Sequence, residues 1–173
     1  MQIDPVIKDY IWGREIWYSM PMFPGCPLLF KVIEANDKLS VQVHPDDAFA
    51  NENENGKLGK TEAWYVMDAK PGAQLVFGLK PGVTKASFIE ALNKGEVEST
   101  LNFVDAKTGD FFYIPAGTVH AIGAGLTIAE IQQCSDITYR LYDYKRVDAN
   151  GNERELHVEK ALETINFGGT DYV

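Results

Sequence analysis

The sequence predicts an all-β fold, an antiparallel sandwich or barrel with helices packed on its outside. Short runs of β-branched and aromatic residues recur along the chain, separated by turn signals such as Lys70-Pro71-Gly72. The 173 residues suffice for one domain with a core and are too few for two ordinary ones. With 45% hydrophobic and 24% charged residues, the composition is that of a globular chain, not a disordered or membrane one. The predicted strands span residues 28–33, 39–43, 63–67, 73–77, 111–114, 126–131 and 137–142.

Two segments have helical periodicity, residues 84–94 and 155–164. In the first, Phe88 and Leu92 share one face, and Gly95 follows as a C-terminal stop signal. Both segments are expected to pack against the outside of the β-core.

Two further stretches carry no strand or helix signal. Residues 46–60 are polar, rich in asparagine and interrupted by glycine, which predicts a long surface loop between two strands. Residues 1–27 show little periodicity and hold four of the eight prolines, which predicts an N-terminal arm that wraps the barrel. The whole chain, residues 1–173, is expected to form one domain.

Charge and targeting signals restrict the partners. Sixteen basic and twenty-five acidic residues give a net charge of −9, and no basic run is present, which argues against nucleic acid or an anionic membrane. The N-terminus does not resemble a secretory signal, and no apolar run approaches the ~20 residues needed to span a bilayer. We therefore expect a cytoplasmic protein, in which Cys26 and Cys134 are reduced thiols.

The segment 39–45 places polar side chains on one face of a strand. Because side chains alternate, Ser40, Gln42 and His44 point one way and the aliphatic residues between them point the other. A strand exposed to water would explain this pattern, but charged residues would then be commoner. Gln and His together are typical of a wet interior or a metal site.

Two other segments carry polar residues near strand ends. Lys60 and Glu62 share a face at the start of the next strand, and a surface ion pair would explain them equally well. His120 follows a Pro-x-Gly turn after an aromatic strand, where it could simply be a satisfied histidine of a hairpin. His157, in a charged amphipathic segment, is expected to be exposed or to cap a helix.

Taken together, these segments offer a mixed nitrogen and oxygen ligand set for a divalent metal. Two imidazoles, one carboxylate and one amide carry a single formal negative charge, so a bound ion would keep positive charge and open positions. That is typical of a catalytic site rather than a structural one. The four candidate ligands are Gln42, His44, Glu62 and His120.

The motifs resemble a known family. Residues 109–120 are similar to the second motif of the cupin superfamily, although Ala124 stands where that motif closes with asparagine. The first cupin motif fits poorly, because Gln42 replaces a histidine and Glu62 comes late. With these departures, the sequence from about residue 28 to about residue 167 resembles the class I mannose-6-phosphate isomerases in their bacterial form. The segments that carry the resemblance are 42–46 (QVHPD), 59–65 (GKTEAWY), 115–123 (PAGTVHAIG) and 132–144 (QQCSDITYRLYDY).

The resemblance implies a cupin jelly-roll β-barrel that acts as an aldose–ketose isomerase, interconverting mannose 6-phosphate and fructose 6-phosphate. It implies one Zn²⁺ per chain, or another divalent metal, with residues 28–167 as the catalytic barrel. It also implies a short form, because the family's longer members carry an extra segment near the N-terminus and a second cupin-like barrel. By residue, it implies metal ligands at Gln42, His44, Glu62 and His120, catalytic roles for Arg140 and Lys60, and substrate binding by Ser40, Lys60 and Arg140.

Several points stay open at this level. The isomerase reaction needs a base that removes a proton next to the carbonyl group. Glu62 would be occupied as a ligand, so this base could be Lys60, Asp136, Glu130 or a metal-bound hydroxide. A non-catalytic sugar-binding or sugar-sensing cupin would keep the same pocket. A cupin iron dioxygenase is a third alternative, although such enzymes generally use more histidine ligands. The phosphorylated hexose is the expected partner, and a homo-oligomer is compatible with the sequence.

Overall fold

The computed structural model describes residues 5–18, 28–148 and 150–168, which form two antiparallel sheets with three helices and one 3₁₀ turn. The all-β prediction is confirmed. The strands are β1 (Val6–Tyr10), β2 (Gly13–Tyr18), β3 (Leu28–Ala35), β4 (Val41–Val43), β5 (Glu62–Ala69), β6 (Gln74–Leu79), β7 (Leu101–Asp105), β8 (Phe111–Ile114), β9 (His120–Ile122), β10 (Leu126–Gln133) and β11 (Tyr139–Tyr142). The helices are α1 (Asp47–Asn53), α2 (Lys85–Lys94) and α3 (Val158–Thr164), and the 3₁₀ turn is Val97–Thr100.

The six-stranded sheet has the order β1-β2-β3-β10-β5-β8, and the five-stranded sheet has the order β11-β4-β9-β6-β7. Strands that are neighbours in a sheet are often distant in sequence, as with β3 and β10. This connectivity brings residues from separate segments into direct cross-strand pairs.

Part of the space between the sheets is filled by an apolar cluster that includes Trp64, Leu75 and Ile128. On the other side of the five-stranded sheet, Phe88 of α2 and Ala161 of α3 belong to a second apolar cluster. The five-stranded sheet therefore packs against apolar residues on both of its faces.

The predicted helix over residues 84–94 is confirmed as α2. The Thr84 hydroxyl accepts a hydrogen bond from the Ser87 amide, and Gly95 ends the helix in the left-handed region at φ 72°. Helix α3 begins at Val158, later than the periodicity indicates, and His157 lies at its N-cap.

The structure differs from the sequence prediction in two places. Residues 47–53 form helix α1 rather than a loop, because the Asp46 carboxylate accepts a hydrogen bond from the Phe49 amide and caps a short helix. Within residues 1–27, β1 and β2 form a hairpin whose second strand pairs with β3. The remaining part of the predicted arm, residues 19–27, lies outside the described residues, as does Cys26.

Two smaller expectations can be compared with the structure. Cys134 is an exposed free thiol. None of the described helices is long and apolar enough to cross a bilayer.

Candidate metal centre and active-site cavity

One row of polar side chains crosses the five-stranded sheet on its inner face. Gln42 of β4 pairs directly with His120 of β9 on one side and with Arg140 of β11 on the other. Cross-strand partners share a face. The antiparallel pairing thus brings together two candidate ligands and the candidate catalytic arginine. Gln42 and Arg140 are 98 positions apart in the sequence.

A second polar row crosses the six-stranded sheet. Glu130 of β10 pairs with Lys31 of β3 on one side and with Trp64 of β5 on the other. Glu62 lies two residues before Trp64 on the same strand, so the two side chains share a face. The two sheets therefore direct polar residues into the space between them.

The candidate ligands His44, Glu62 and His120 meet in this space. Nε2 of His44 lies 3.3 Å from Oε1 of Glu62, and Nε2 of His120 lies 3.6 Å from Oε2. One ligand atom from each residue falls within 4.8 Å of the others, and all three residues are buried. The structure brings together three of the four residues predicted as ligands in one compact donor set.

Both histidines are oriented by backbone carbonyl groups. Nδ1 of His44 donates to the carbonyl of Ile137, and Nδ1 of His120 donates to the carbonyl of Thr118, each at 2.8 Å. With the proton held on Nδ1, each Nε2 keeps a lone pair directed toward Glu62. This is the arrangement that metal-binding histidines usually show.

Electrostatics keep the three groups in the state a metal requires. Burial lowers the pKa of His44 to about 3 and, assisted by the nearby Lys60 charge, leaves the imidazole neutral; burial also lowers the pKa of His120. Burial alone would raise the pKa of Glu62, but Lys60 and the histidines bring it well below the usual value. Neutral imidazoles and an ionised carboxylate are the forms that bind divalent ions, so the donor set fits a metal.

The fourth predicted ligand, Gln42, is adjacent to this set. Its amide nitrogen donates to Nε2 of His120 at 3.4 Å. An amide presents its oxygen instead of its nitrogen after half a turn, with little change in shape. Gln42 is thus placed to supply an oxygen ligand.

Lys60 lies against the same groups and is buried. Its Nζ is 2.5 Å from Oε1 of Glu62 and donates to Nε2 of His44 at 3.2 Å. The predicted surface alternative for Lys60 and Glu62 is therefore wrong: the pair is an internal one. The ammonium group contacts two of the candidate ligands, which shows that this point of the site attracts a cation.

A cavity of about 420 Å³ opens beside the donor set. Its walls come from both sheets and from the β1–β2 hairpin, which contributes aromatic and charged side chains. Such a volume lies in the range of small-molecule sites. The residues that line it are Lys8, Tyr10, Trp12, Glu15, Trp17, Lys31, Ile33, Leu39, Ser40, Gln42, Lys60, Glu62, Trp64, Ile122, Glu130, Ser135, Asp136, Thr138, Arg140 and Arg154.

Arg140 and Ser40 lie together on one wall of this cavity. Nε of Arg140 donates to the Ser40 hydroxyl at 3.3 Å, and Nη1 donates to the carbonyl of Glu155 at 2.7 Å. Burial lowers the pKa of Arg140, and the charge of Arg154 acts in the same direction. The guanidinium is thus fixed in place with its charge directed into the cavity region.

Sequence reasoning missed most of the network formed by Lys31, Trp64 and Glu130, naming Glu130 only as one of several bases. The Trp64 indole N–H is shared between Oε2 of Glu62 at 3.1 Å and Oε2 of Glu130 at 3.0 Å. Nζ of Lys31 lies 3.2 Å from Oε1 of Glu130. The available signal was one charged residue, Lys31 or Glu130, within each of the two largely apolar predicted strands 28–33 and 126–131.

The remaining predicted residues are less central. Asp136 lines the cavity, but its side chain is largely exposed and accepts a hydrogen bond from Lys57 at 3.0 Å. His157 is half-buried at the start of α3, where its Nδ1 accepts a hydrogen bond from the amide of Arg140. His157 thus supports the strand that carries Arg140 and takes no part in the donor set.

Comparison with known proteins identifies a family. Residues 22–81 match the model of the catalytic domain of type I phosphomannose isomerase, a stretch that contains Gln42, His44, Lys60 and Glu62. The mannose-6-phosphate isomerase ManA of Bacillus subtilis is 52% identical over 80% of this chain and 44% of its own length. The mannose-6-phosphate isomerase of Streptococcus mutans is 48% identical over 95% of this chain and 51% of its own length. The chain thus spans about half the length of these curated relatives.

The fold comparison agrees. A crystal structure of mannose 6-phosphate isomerase from Bacillus subtilis superimposes with a TM-score of 0.90, at 33% identity, over 99% of this chain and 70% of that one. The cupin-like architecture predicted from the motifs is therefore confirmed. The buried donor set, the cavity beside it and these similarities lead to one conclusion: the chain belongs to the type I phosphomannose isomerase family.

Proposed function

We propose that this chain carries the catalytic centre of a metal-dependent aldose–ketose isomerase that interconverts mannose 6-phosphate and fructose 6-phosphate. The observation that carries the proposal is the buried His44, Glu62 and His120 set beside a cavity with basic side chains on its walls. The names of the relatives support the sugar phosphate as substrate. The phosphorylated hexose is thus the proposed partner, and a cytoplasmic location remains part of the proposal.

For the metal, we propose one Zn²⁺ per chain held by Gln42, His44, Glu62 and His120, with other divalent ions as substitutes. Two imidazole nitrogens with two oxygens are compatible with zinc and with several neighbouring metals. When bound, such an ion polarises the carbonyl and hydroxyl oxygens of the open-chain sugar.

The reaction needs a group that removes the proton at C2 of the aldose and returns it to C1. Among the open alternatives, Glu130 is favoured, because burial and the nearby Glu62 charge raise its pKa and it lines the cavity. Asp136 is less suitable, because its hydrogen bond with Lys57 lowers its pKa. Lys60 remains an alternative, since it also lines the cavity.

Arg140 supplies fixed positive charge where negative charge develops on the enediolate. Losing one such electrostatic contact typically reduces turnover by ~10²–10³. The Arg140→Ala variant should therefore keep its metal and lose kcat. A change confined to KM would instead indicate uniform substrate binding.

The first test is a coupled assay for fructose 6-phosphate formation from mannose 6-phosphate, with zinc, manganese or cobalt added to the purified chain. We expect metal-dependent turnover that chelator abolishes. Binding of the sugar phosphate without turnover would contradict the proposal and favour a sugar-binding or sugar-sensing protein.

A second test addresses the ligands. Elemental analysis of protein purified without chelator should find one divalent ion per chain, and His120→Ala should lose it. His157→Ala is a matched control, because His157 lies outside the donor set. Unchanged metal affinity in His120→Ala would show that the ligand assignment is wrong.

A further inference from the structure

Among the described residues, five basic side chains line the cavity, and they differ in whether a carboxylate already neutralises them. Lys31 and Lys60 each lie against a buried carboxylate, Glu130 at 3.2 Å and Glu62 at 2.5 Å respectively. Arg140 makes no ion pair with a carboxylate of residues 5–18, 28–148 or 150–168; its side chain contacts a hydroxyl and a carbonyl. A dianionic ligand therefore meets uncompensated charge on the wall that carries Arg140 rather than at Lys31 or Lys60.

Arg154 is the second guanidinium on this wall. Its Nε donates to Oδ2 of Asp143 at 2.7 Å and its Nη2 donates to Oδ1 at 2.5 Å, a two-point contact that fixes the plane of the group. Asp143 is itself buried, so this orientation is set from inside the fold. Nη1 of Arg154 donates no hydrogen bond within the described chain, and it remains available to a ligand.

The charge balance of this cluster favours an anion. Asp143 also accepts a hydrogen bond from Arg146 at 2.5 Å, so one carboxylate serves two guanidinium groups. Arg146 also forms an ion pair with Asp37 at 3.3 Å, so the three guanidinium groups Arg140, Arg146 and Arg154 face two carboxylates and an excess of one positive charge remains. In a chain with a net charge of −9, this excess is local and must attract the ligand at short range.

We propose that Arg154, positioned by Asp143, binds the phosphate group of the sugar together with the hydroxyl of Ser40, and thereby determines the preference for phosphorylated over unphosphorylated sugars. Arg140, the cross-strand partner of Gln42, adds its charge to the same wall and serves the enediolate. This inference rests on the proposed function and assigns one of its specificity determinants. Planar guanidinium groups suit a tetrahedral oxyanion better than a point charge does. Lys8, the remaining basic group of the cavity, lies 3.3 Å from the centre of the Trp17 ring and offers only a point charge.

The kinetic test compares mannose 6-phosphate with unphosphorylated mannose. Removing a charge-assisted hydrogen bond should lower kcat/KM of Arg154→Gln for mannose 6-phosphate by about 10- to 100-fold and leave kcat/KM for mannose nearly unchanged. Arg154→Lys should recover part of the loss. Arg146→Gln is the matched control, because Arg146 shares Asp143 but does not line the cavity.

Equal losses on the two sugars in Arg154→Gln, or the same selective loss in Arg146→Gln, would overturn the assignment. So would a selective loss in Lys8→Gln with none in Arg154→Gln. Unfolding by heat is followed for every variant. If Arg154→Gln does not fold, Arg154→Lys is tested in its place. An unchanged preference of Arg154→Lys for mannose 6-phosphate over mannose would overturn the proposal.

A binding test does not depend on turnover. Inorganic phosphate should bind to the parent protein by calorimetry and should bind at least about 10-fold more weakly to Arg154→Gln than to Arg146→Gln. If the parent turns over no sugar but shows this pattern, the proposed reaction is wrong and the phosphate site stands. If the parent isomerises the sugar phosphate but Arg154→Gln binds phosphate normally, the phosphate site is wrong and the reaction stands.

Discussion

At the scale of single residues, Trp64 joins two buried carboxylates through one indole N–H. Glu62 belongs to the donor set and Glu130 is the favoured proton-transfer group, so this contact holds both in place. Groups that hydrogen-bond to metal ligands are typically worth 10- to 100-fold in metal affinity. Trp64 is thus a positioning residue.

Replacing Trp64 by Phe keeps a buried ring and removes the donor. We expect Trp64→Phe to weaken metal binding by about 10-fold or more, because Glu62 loses a partner that orients it. The affinity is measured by competition with a coloured chelator. Trp17→Phe serves as a comparison, because the Trp17 indole N–H donates to Glu15 instead. Equal affinities in the parent and Trp64→Phe would refute the positioning role.

The buried histidines predict how stability depends on pH without metal. The pKa of His44 is lowered to about 3 and that of His120 is also lowered, whereas an unfolded histidine titrates near 6.5. Below about pH 6.5 the unfolded chain therefore binds more protons than the folded one. The free energy of unfolding should fall as the pH drops, by up to about 1.4 kcal/mol per pH unit for each histidine.

Denaturant unfolding in the presence of chelator, at several pH values between 7.5 and 5, measures this dependence. His44→Gln should show a shallower decline than the parent, because one of the two groups is gone. The difference in pH dependence between the parent and His44→Gln gives the contribution of His44, because the other titrating groups are present in both proteins. An identical pH dependence in both would contradict the buried neutral state of His44.

At the scale of elements, the connection from α1 to β5 places Lys60 and Glu62. Gly59 lies in this connection, and a Cβ built on it would meet the backbone of Asp46 at 2.4 Å. The Gly59 amide also donates to the Asp47 carboxylate at 2.8 Å, which binds the connection to the start of α1. The close approach of two backbones requires glycine here.

We expect Gly59→Ala to displace the connection and to reduce both thermal stability and metal affinity, because Lys60 and Glu62 follow directly. Gly72→Ala is the control: a Cβ there meets nothing within 4 Å, so only the positive φ of 79° opposes the substitution. That backbone strain is about 1 kcal/mol or somewhat more. Thermal unfolding and metal titration of both variants check the prediction, and a Gly59→Ala protein that binds metal normally would contradict it.

The sequence predicts the sheet-forming segments and the candidate ligands because both follow local patterns. Alternation within 39–45 and the Pro-x-Gly turn before His120 are visible in single strands. The β1–β2 hairpin was not visible, since its strands mix exposed and half-buried residues without clear alternation. Helix α1 depends on a cap and on packing of Ala50, signals that polar composition obscured.

The Lys31, Glu130 and Trp64 network could not be predicted because it depends on register. Glu130 lies opposite Lys31 and Trp64 only in the observed pairing of β10 with β3 and β5. A shift by one residue would turn each side chain to the other face. Contacts between strands distant in sequence are fixed by the whole sheet, not by any one segment.

At the scale of the whole molecule, the donor set joins the two sheets. Glu62 comes from the six-stranded sheet, while His120 comes from the five-stranded one, with Gln42 beside it. A metal held by residues of both sheets is bound by the folded state and not by separated strands. Binding must therefore stabilise the fold by mass action.

Removing the metal should lower the temperature of unfolding. With free metal at 100 times its dissociation constant, the expected stabilisation is about 2.7 kcal/mol. Calorimetry with and without chelator, followed by restoration with zinc, measures the effect. His120→Ala should unfold at the same temperature in both conditions, and a parent protein insensitive to chelator would contradict a site that spans the sheets.

Within residues 5–18, 28–148 and 150–168, the hairpin that lines one wall of the cavity pairs with the rest of its sheet through β3. The proposed metal ligands, by contrast, come from β4, β5, β9 and the residue after β4. The hairpin wall of the cavity and the donor set are therefore built on different parts of the chain. Substitutions in Tyr10 or Trp17 can change the shape of the cavity without altering a ligand. Such a division lets a lineage acquire a new sugar preference by changing an edge hairpin while it retains the chemistry.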